Sequence, residues 1–297
     1  MLILLAAGCS LTTTSSSDIF DVPILTNWTK ESGIRVVNNV STCTIRLNDG
    51  RYRMYYPGAD GISSSISTDG LIFTAEAGTR VARGTGSDYD ADMAKDPDII
   101  DEGTFYRMYY TANAADGKHR VMSATSTDEG YTWIKDAGVR INYTASYDQL
   151  ADVQAALKIS SNNYLMVFVY DWNGPNSLKG AISTDGLSWE VKTLTGFTDN
   201  CMDPDLILDA SNNIIMFFAA PRTTSGPEPM DIYKATSTDG LAWTVTGRAI
   251  QPETSEEGNI VGDPDVILLP DGSYRMYYYG GNPRVQSDIL SATATSL

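Results

Sequence analysis

Short apolar and aromatic runs, separated by polar turns, recur five times along this chain. Each run is built around a methionine, and the first is Tyr52-Arg53-Met54-Tyr55-Tyr56. Runs this short, bounded by Asp and Gly, are typical of β-strands joined by tight turns. The methionines of the five runs are Met54, Met108, Met166, Met216 and Met276, which are 54, 58, 50 and 60 residues apart. This period predicts a repeated unit of about four strands, in a propeller or an array.

A second pattern marks a turn inside the repeated units. The sequence Ser-Thr-Asp, followed closely by Gly, begins at Ser67, Ser126, Ser183 and Ser237, and an aromatic residue follows each copy. Its Ser and Asp side chains can accept hydrogen bonds from backbone amides, while Gly adopts a positive φ. A turn with its own internal hydrogen bonds needs no ligand, so we expect it to be structural.

The two ends of the chain predict how the units are arranged. The fifth unit ends with residues 291–297, which match a third strand, so it lacks a fourth strand of its own. Residues 28–36 match the fourth strands of the first two units. If this segment completes the last unit, the ring closes and no strand edge is left exposed. We therefore predict an all-β protein, a five-bladed β-propeller of four-stranded antiparallel blades whose last blade is closed by the N-terminal strand, with residues 24–297 as a single domain.

Residues 1–23 are predicted to lie outside that domain. The apolar run Leu5-Ala6-Ala7-Gly8-Cys9 is followed by a Ser/Thr-rich tether. It resembles a bacterial lipoprotein signal, which implies lipidation of Cys9 and a place in the cell envelope; an ordinary secretory segment is the alternative. Cys43 and Cys201 fall in the first and fourth units, which do not adjoin in a ring of five. A disulfide requires closely spaced Cα atoms, so we expect two buried free thiols.

The net charge of the chain limits its partners. A formal net charge of -16 and a pI of about 4.3 would repel phosphate backbones and anionic lipid. We therefore expect no binding to nucleic acid, and membrane association only through a lipid anchor. The protein is expected to be a monomer.

Candidate chemistry is concentrated where the first strand of each unit begins. Three of these strands start with Asp-Pro-Asp, at residues 96–98, 203–205 and 263–265, while the corresponding segments of the third and first units are 152–154 and 41–43. First strands line the channel of a propeller, so a ring of carboxylates should surround one end of it. Carboxylates that lie close together can divide into an acid and a base. The alternative is a strand-capping device, in which Pro needs no amide donor and Asp accepts neighbouring amides.

With this blade count, these Asp-Pro strand starts and these Ser-x-Asp-Gly turns, the chain resembles the five-bladed propeller glycosidases: arabinanases and β-xylosidases of glycoside hydrolase family 43, and their invertase relatives. Residues 126–133 also match the Asp-box of sialidases, a less favoured activity because sialidases have six blades. The resemblance implies a carbohydrate substrate and a site of two Asp and one Glu on one channel face. It implies no required cofactor and allows a central divalent cation such as calcium.

The chain departs from that family at two places. Ser41 and Cys43 stand where the family has an Asp on the first blade, and no Glu begins a later inner strand, so a Glu would have to come from a loop. Exposed rings near the channel face could stack on sugars. The candidate catalytic residues are Asp96, Asp203, Asp263, Glu228 and Glu257. The candidate substrate-binding residues are Asp98, Asp152, Tyr170, Trp172, Asp205 and Asp265.

Two functions follow from these observations. The first is a glycoside hydrolase that acts on a neutral glycan of the arabinose or xylose type. The second is a noncatalytic surface lipoprotein that binds glycan or another partner with the same face, as the two departures from the family suggest. His119 is the only histidine, and its basic neighbours Lys118 and Arg120 predict a surface residue rather than a ligand.

Overall fold

The computed structural model describes residues 21–142, 152–170, 176–198, 200–223, 229–282 and 286–297. Within these ranges it contains 21 strands and no helix, so the described part of the chain has no helix that could cross a membrane. The strands form five antiparallel sheets, and the inner strand of each sheet contacts the inner strands of its two neighbours. The predicted five-bladed β-propeller is confirmed.

Each blade runs from an inner strand at the channel to an outer strand. Blade 1 consists of β2 (Cys43–Arg46), β3 (Tyr52–Gly58), β4 (Gly61–Ser67) and two short outer pieces, β5 (Thr74–Ala75) and β6 (Val81–Ala82), which both pair with β4. Blade 2 consists of β7 (Met93–Asp101), β8 (Tyr106–Asn113), β9 (His119–Ser126) and β10 (Ile134–Lys135). Blade 3 consists of β11 (Asp152–Ser160), β12 (Asn163–Tyr170), β13 (Ser177–Ser183) and β14 (Glu190–Thr193).

The last two blades contain the ring closure. Blade 4 consists of β15 (Met202–Leu208), β16 (Ile214–Pro221), β17 (Met230–Ser237) and β18 (Thr244–Ile250). Blade 5 consists of β19 (Val261–Leu268), β20 (Tyr274–Asn282), β21 (Gln286–Ala294) and β1 (Trp28–Val36). Strand β1 pairs antiparallel with β21, with Trp28 opposite Ala294 and Val36 opposite Ile289. The N-terminal strand thus completes the last blade, as predicted.

The repeated methionines lie between blades, where they form the core. All five are fully buried. In blade 1, Met54 packs in a cluster shared with blade 5, whereas Tyr55 packs with Met108 of blade 2. Alternate residues of a strand face opposite sides of the sheet, so both faces of each second strand are covered by a neighbouring blade. This explains why the repeated runs are apolar or aromatic at every position except the one before the methionine, which is an arginine in three of them. Cys43 and Cys201 are buried and form no disulfide, as expected.

The turns between the third and fourth strands have the internal hydrogen bonds that the sequence predicts. In blade 1, Ser67 Oγ accepts the amide of Gly70 at 2.9 Å. Asp69 Oδ1 accepts the amides of Leu71 and Ile72 at 2.8 and 3.0 Å. The amides of Ile72 and Leu71 lower the pKa of Asp69 to about 2.

These turns also hold neighbouring blades together. Tyr277 of blade 5 donates its hydroxyl to Gly70 O at 2.9 Å, and Arg35 of β1 donates to Leu71 O at 3.2 Å. We call this pair of contacts, a tyrosine and an arginine that donate to turn carbonyls of the next blade, the turn latch. It recurs between blades 1 and 2 and between blades 2 and 3, through Tyr55, Arg80, Tyr109 and Arg140. At the junction of blades 5 and 1, the latch consists of Arg35 from near the start of the chain and Tyr277 from near its end.

Replacing Arg35 should weaken the ring at its closing junction. Arg35→Met keeps the length of the side chain but removes the donors to Leu71 O and to Ser291 Oγ, which lies 2.9 Å from Arg35 Nε. We expect the free energy of unfolding in urea to fall by about 2 kcal/mol, since buried acceptors lose a charged donor. Arg140→Met is the matched control at an exposed latch, with an expected loss below about 1 kcal/mol. Equal losses would argue against a special role for Arg35.

Candidate active site at one end of the channel

At one equivalent position in each blade, just before or within the inner strand, the residue has a left-handed backbone. These residues are Ser41, Asp96, Val153, Asp203 and Asp263, with φ of 52°, 49°, 37°, 52° and 44°. Such a conformation is strained for residues other than glycine, most of all for a β-branched valine, and it is concentrated at functional sites. The strand pairing is irregular here in the four blades where it can be followed. We call these five residues the first ring.

The first ring corrects the sequence alignment of blade 3. The sequence pattern matches Asp152 with the first Asp of Asp-Pro-Asp, but the structure places Val153 at that position. Gln154 and Ala155 then correspond to the following Pro and Asp. The sequence match is off by one residue because blade 3 has no proline to mark the register. Asp152 instead corresponds to Lys95, the residue before the first Asp of blade 2.

The three Asp-Pro-Asp motifs meet at one small cavity. Its volume is about 30 Å³, enough for about one or two water molecules. Its lining is Ser41, Thr42, Val153, Gln154 and all nine residues of the three Asp-Pro-Asp motifs. We call the residues two positions after the first ring the second ring: Cys43, Asp98, Ala155, Asp205 and Asp265. The structure thus brings together six of the carboxylates that the sequence nominated.

The second-ring aspartates connect blades. Asp98 Oδ2 accepts the amide of Ala156 in blade 3 at 2.6 Å, and Asp205 Oδ2 accepts that of Val266 in blade 5 at 3.0 Å. Burial raises the pKa of Asp98 to about 7 and that of Asp265 to about 8. Burial, and then the charge of Asp265, raises the pKa of Asp205 well above its usual value. This ring fits the capping alternative, because its carboxylates serve neighbouring backbone amides.

The first-ring aspartates are also buried, but their surroundings differ. Asp263 Oδ2 accepts from Ser41 N at 2.9 Å and from Ser41 Oγ at 3.0 Å, and burial together with Asp96 raises the pKa of Asp263 to about 7. Asp203 Oδ2 accepts from Asp263 N at 3.4 Å. Burial, and then the charge of Asp263, raises the pKa of Asp203 well above its usual value. Burial also raises the pKa of Asp96, and Lys95 opposes that rise.

A lysine and a histidine lie on the blade 2 side of the cavity. Lys95 Nζ is 3.2 Å from Asp96 Oδ2 and 3.5 Å from Asp152 Oδ1. His119 Nδ1 is 3.0 Å from Asp152 Oδ2, and the side chain of His119 is only 15% exposed. Burial would raise the pKa of Asp152, but His119 and Lys95 outweigh it and hold that pKa at about 2. The prediction of a surface histidine was therefore wrong, because the fold places a carboxylate of blade 3 against His119.

A glycine and a tyrosine lie on the blade 5 side. A Cβ atom on Gly262 would lie 2.8 Å from the Tyr279 hydroxyl and 2.9 Å from Asp203 Oδ2, so any larger residue here would displace Tyr279 or Asp203. Burial, and then the charge of Asp203, raises the pKa of Tyr279 well above its usual value, which keeps the hydroxyl neutral beside the cavity. Sequence reasoning missed Gly262, Tyr279 and Lys95. The available signal was that each of them breaks the five-fold repeat.

Glu257 does not reach the cavity. Its carboxylate is fully buried and accepts from Lys30 Nζ and Tyr278 OH, both at 2.8 Å, and from the amides of Glu253 and Thr254 at 2.7 and 2.9 Å. These contacts fasten the loop before β19 to the outer strand β1. With four donors already bound, Glu257 is a structural anchor and is no longer a candidate acid.

The other nominated residues lie away from the cavity or outside the described residues. Tyr170 is partly buried against the core between blades 2 and 3, and Lys179 Nζ lies 5.0 Å from its ring centroid. Glu228, Trp172 and Cys9 fall outside the residues that the structure describes.

The described residues do not fit the central divalent cation that the resemblance allowed. Two of the second-ring carboxylates already accept backbone amides. In the part of the chain that the structure describes, no group of three or more His, Cys, Asp or Glu side chains is arranged to hold a metal ion.

The fold is shared with solved glycoside hydrolases. An endo-arabinase from Bacteroides thetaiotaomicron superposes with a TM-score of 0.70 at 14% sequence identity, over 90% of this chain and 98% of that one. A thermostable family-43 glycoside hydrolase gives 0.69 at 14% identity, over 89% and 92%. The α-L-arabinanase of Cellvibrio cellulosa, solved with arabinohexaose, gives 0.65 at 13% identity, over 86% and 91%. No family model and no curated protein sequence matches the chain. The chain therefore has the five-bladed fold of these enzymes, at a sequence identity of only 13 to 14%.

The buried carboxylates should make stability fall as the pH rises. A carboxyl whose pKa is about 3.8 unfolded and about 7 or 8 folded binds more protons in the folded state between these values. The stability that these carboxyls contribute is therefore complete below about pH 4 and is lost as the pH rises to about 7 to 8. We expect Tm, followed by circular dichroism, to drop by several degrees from pH 5 to pH 8.

Asp98→Asn should reduce that slope, because asparagine can still accept the amide of Ala156 but does not titrate. Asp60→Asn, at a side chain that is 80% exposed, is the control and should leave the slope unchanged. An Asp98→Asn variant with the wild-type slope would show that Asp98 is not held neutral by burial.

Proposed function

We propose that this protein is a glycoside hydrolase that acts on a neutral, arabinose-containing glycan through the first-ring aspartates. One observation carries the proposal: three buried carboxylates from three blades meet at a single cavity, and each has a different neighbour. Burial raises the pKa of all three carboxyls, but only Asp96 has a cation beside it that opposes the rise. Such a difference between neighbouring carboxyls is what an acid and base pair requires. The fold shared with arabinanases supports the choice of substrate class.

The groups beside each first-ring aspartate determine its role in the reaction. Asp203 has the carboxyl that burial and Asp263 favour in its protonated form, so it is the proton donor to the glycosidic oxygen. Asp96 lies beside the Lys95 ammonium, which opposes the rise that burial gives to its pKa, so of the three it is the base that accepts a proton from water. Asp263, fixed by two hydrogen bonds from Ser41, orients the sugar.

Hydrolysis proceeds by displacement of the leaving oxygen from the anomeric carbon by water. Water loses a proton to Asp96 and its oxygen bonds to the anomeric carbon, while the bond to the leaving oxygen breaks and that oxygen takes the proton of Asp203. If Asp96 instead attacked the carbon directly, a covalent intermediate would form and the configuration would be retained. The separation of the two carboxyl groups distinguishes these routes, about 5 to 5.5 Å for retention and about 6.5 to 9.5 Å for inversion.

Binding without turnover is the second candidate function, and two observations favour it. The cavity is small, at about 30 Å³, and no glutamate is found among the described residues that line it. Ser41 stands where the resemblance leads one to expect an aspartate, and it donates to Asp263 rather than offering a carboxylate to the substrate.

Replacing the first ring should abolish hydrolysis. On a panel of aryl glycosides and plant polysaccharides that includes arabinan, Asp96→Asn and Asp203→Asn should each lower kcat by about 10² to 10⁴-fold, the usual contribution of a general acid or base. Asp98→Asn, a matched change in the second ring, should stay within several-fold of wild type.

The outcomes separate the two functions. Activity that survives all three first-ring changes, Asp96→Asn, Asp203→Asn and Asp263→Asn, would make the ring structural. Binding of arabino-oligosaccharides in calorimetry, without turnover by the wild type, would select the binding function.

We also propose that the protein is a monomer anchored in a bacterial cell envelope through a lipid on Cys9. The apolar run that ends at Cys9 and the Ser/Thr-rich tether after it support this. Metabolic labelling with palmitate should mark the wild type, and Cys9→Ser should remove the label and release the protein from the membrane fraction. Cys43→Ser is the control and should keep the label. An unlabelled wild-type protein would contradict the anchor.

A further inference from the structure

We propose that Lys95 favours the ionised form of the Asp96 carboxylate, and that His119 and Asp152 are positioning residues that hold the Lys95 ammonium beside it. This inference rests on the proposed hydrolase function, in which Asp96 is the base. No other blade carries a cation at the position of Lys95, where the equivalent residues are Val40, Asp152, Met202 and Gly262.

The three side chains form a continuous path into the cavity. His119 Nδ1 contacts Asp152 Oδ2 at 3.0 Å, and Asp152 Oδ1 lies 3.5 Å from Lys95 Nζ. Lys95 Nζ in turn lies 3.2 Å from Asp96 Oδ2. Asp152 has no exposed side-chain surface, and His119 is 15% exposed. The path therefore runs from the edge of blade 2 to the buried carboxylate.

The direction of each contact follows from charge. Asp152 is ionised at neutral pH, since His119 and Lys95 outweigh burial and hold its pKa at about 2, so its oxygens can only accept. His119 Nδ1 must then carry the proton of their hydrogen bond. The charges of Asp96 and Asp152 outweigh burial and raise the pKa of Lys95, so the ammonium keeps its charge. A buried carboxylate without a cation would tend to take up a proton instead.

The groups around Asp96 come from all five blades. Lys95 is adjacent on the same strand, Asp152 comes from blade 3, Ser41 from blade 1, and Asp203 and Asp263 from blades 4 and 5. The three aspartates disfavour charge on Asp96. Lys95 favours that charge, and the Asp152 carboxylate fixed by His119 holds the ammonium in place.

The pH dependence of hydrolysis tests the path in the active enzyme. Lys95→Met should move the acidic limb of the kcat/KM profile by about one pH unit or more toward higher pH, because Asp96 would ionise later. Lys95→Arg, which keeps the charge, should restore much of the wild-type profile. Lys192→Met, which removes a lysine that pairs with the exposed Glu190, is the matched control and should have no effect.

Two substitutions of His119 distinguish its role as a hydrogen-bond donor to Asp152 from a role in packing alone. In His119→Asn the amide nitrogen takes the place of Nδ1 and can still donate to Asp152, so the pH profile should stay close to wild type. His119→Leu cannot donate, and its acidic limb should move in the same direction as that of Lys95→Met. If the pH profiles of His119→Leu and Lys95→Met both matched that of the wild type, the proposal would be overturned.

Infrared spectroscopy tests the path without any substrate. At pH 7, Lys95→Met should gain a protonated-carboxyl band relative to wild type, and the double variant Lys95→Met, Asp96→Asn should lack that gain. Lys95→Gln serves as a second variant if methionine disturbs folding. No gain of the band in either folded variant would overturn the proposal.

The pH profile and the infrared band together show whether the hydrolase function or the charge path is wrong. A wild type that hydrolyses none of the glycans, together with the infrared gain, would refute the hydrolase function and support the charge path. An active wild type whose acidic limb does not respond to Lys95→Met would refute the path and leave the hydrolase function standing.

Discussion

The pairing of β1 with β21 is the contact on which the rest of this structure depends. It joins the two ends of the chain, and the turn latch of Arg35 and Tyr277 then fastens blade 5 to blade 1. Each blade buries both faces of its second strand against neighbours, so a ring open at one junction would expose two apolar faces. Closure also brings Ser41 of blade 1 to Asp263 of blade 5, a contact inside the candidate site.

The closed ring holds the candidate site in an unfavourable state. Five residues have a strained backbone, and buried carboxylates line the same cavity, whose volume is about 30 Å³. Such an arrangement opposes folding, and the five interblade cores offset it. Carboxylates of both rings accept backbone amides, and in the first ring Asp96 also has the Lys95 ammonium beside it. Burial, together with the charges of neighbouring aspartates, raises the pKa values of Asp96, Asp203 and Asp263.

Residues that repeat from blade to blade and residues that differ between blades have separate roles in this chain. The repeated residues build blades and latches, and they would give three equivalent aspartates if they acted alone. Lys95 on one side of the cavity, and Gly262 with Tyr279 on the other, break the repeat and make those aspartates chemically different. A motif copied in three blades can therefore supply different roles, because each copy has its own neighbours.

The sequence by itself determined the blade count, the strand order and the closure, since these follow from local periodicity and from the match between residues 28–36 and other fourth strands. It also nominated the six aspartates of Asp-Pro-Asp. Only the tertiary structure decided which carboxylates cap backbone amides, that Glu257 anchors a loop to β1, and that His119 meets Asp152. It also decided that Val153 rather than Asp152 belongs to the first ring. These facts depend on contacts between blades and on a one-residue shift in register, and neither leaves a signal in the local pattern of a single chain.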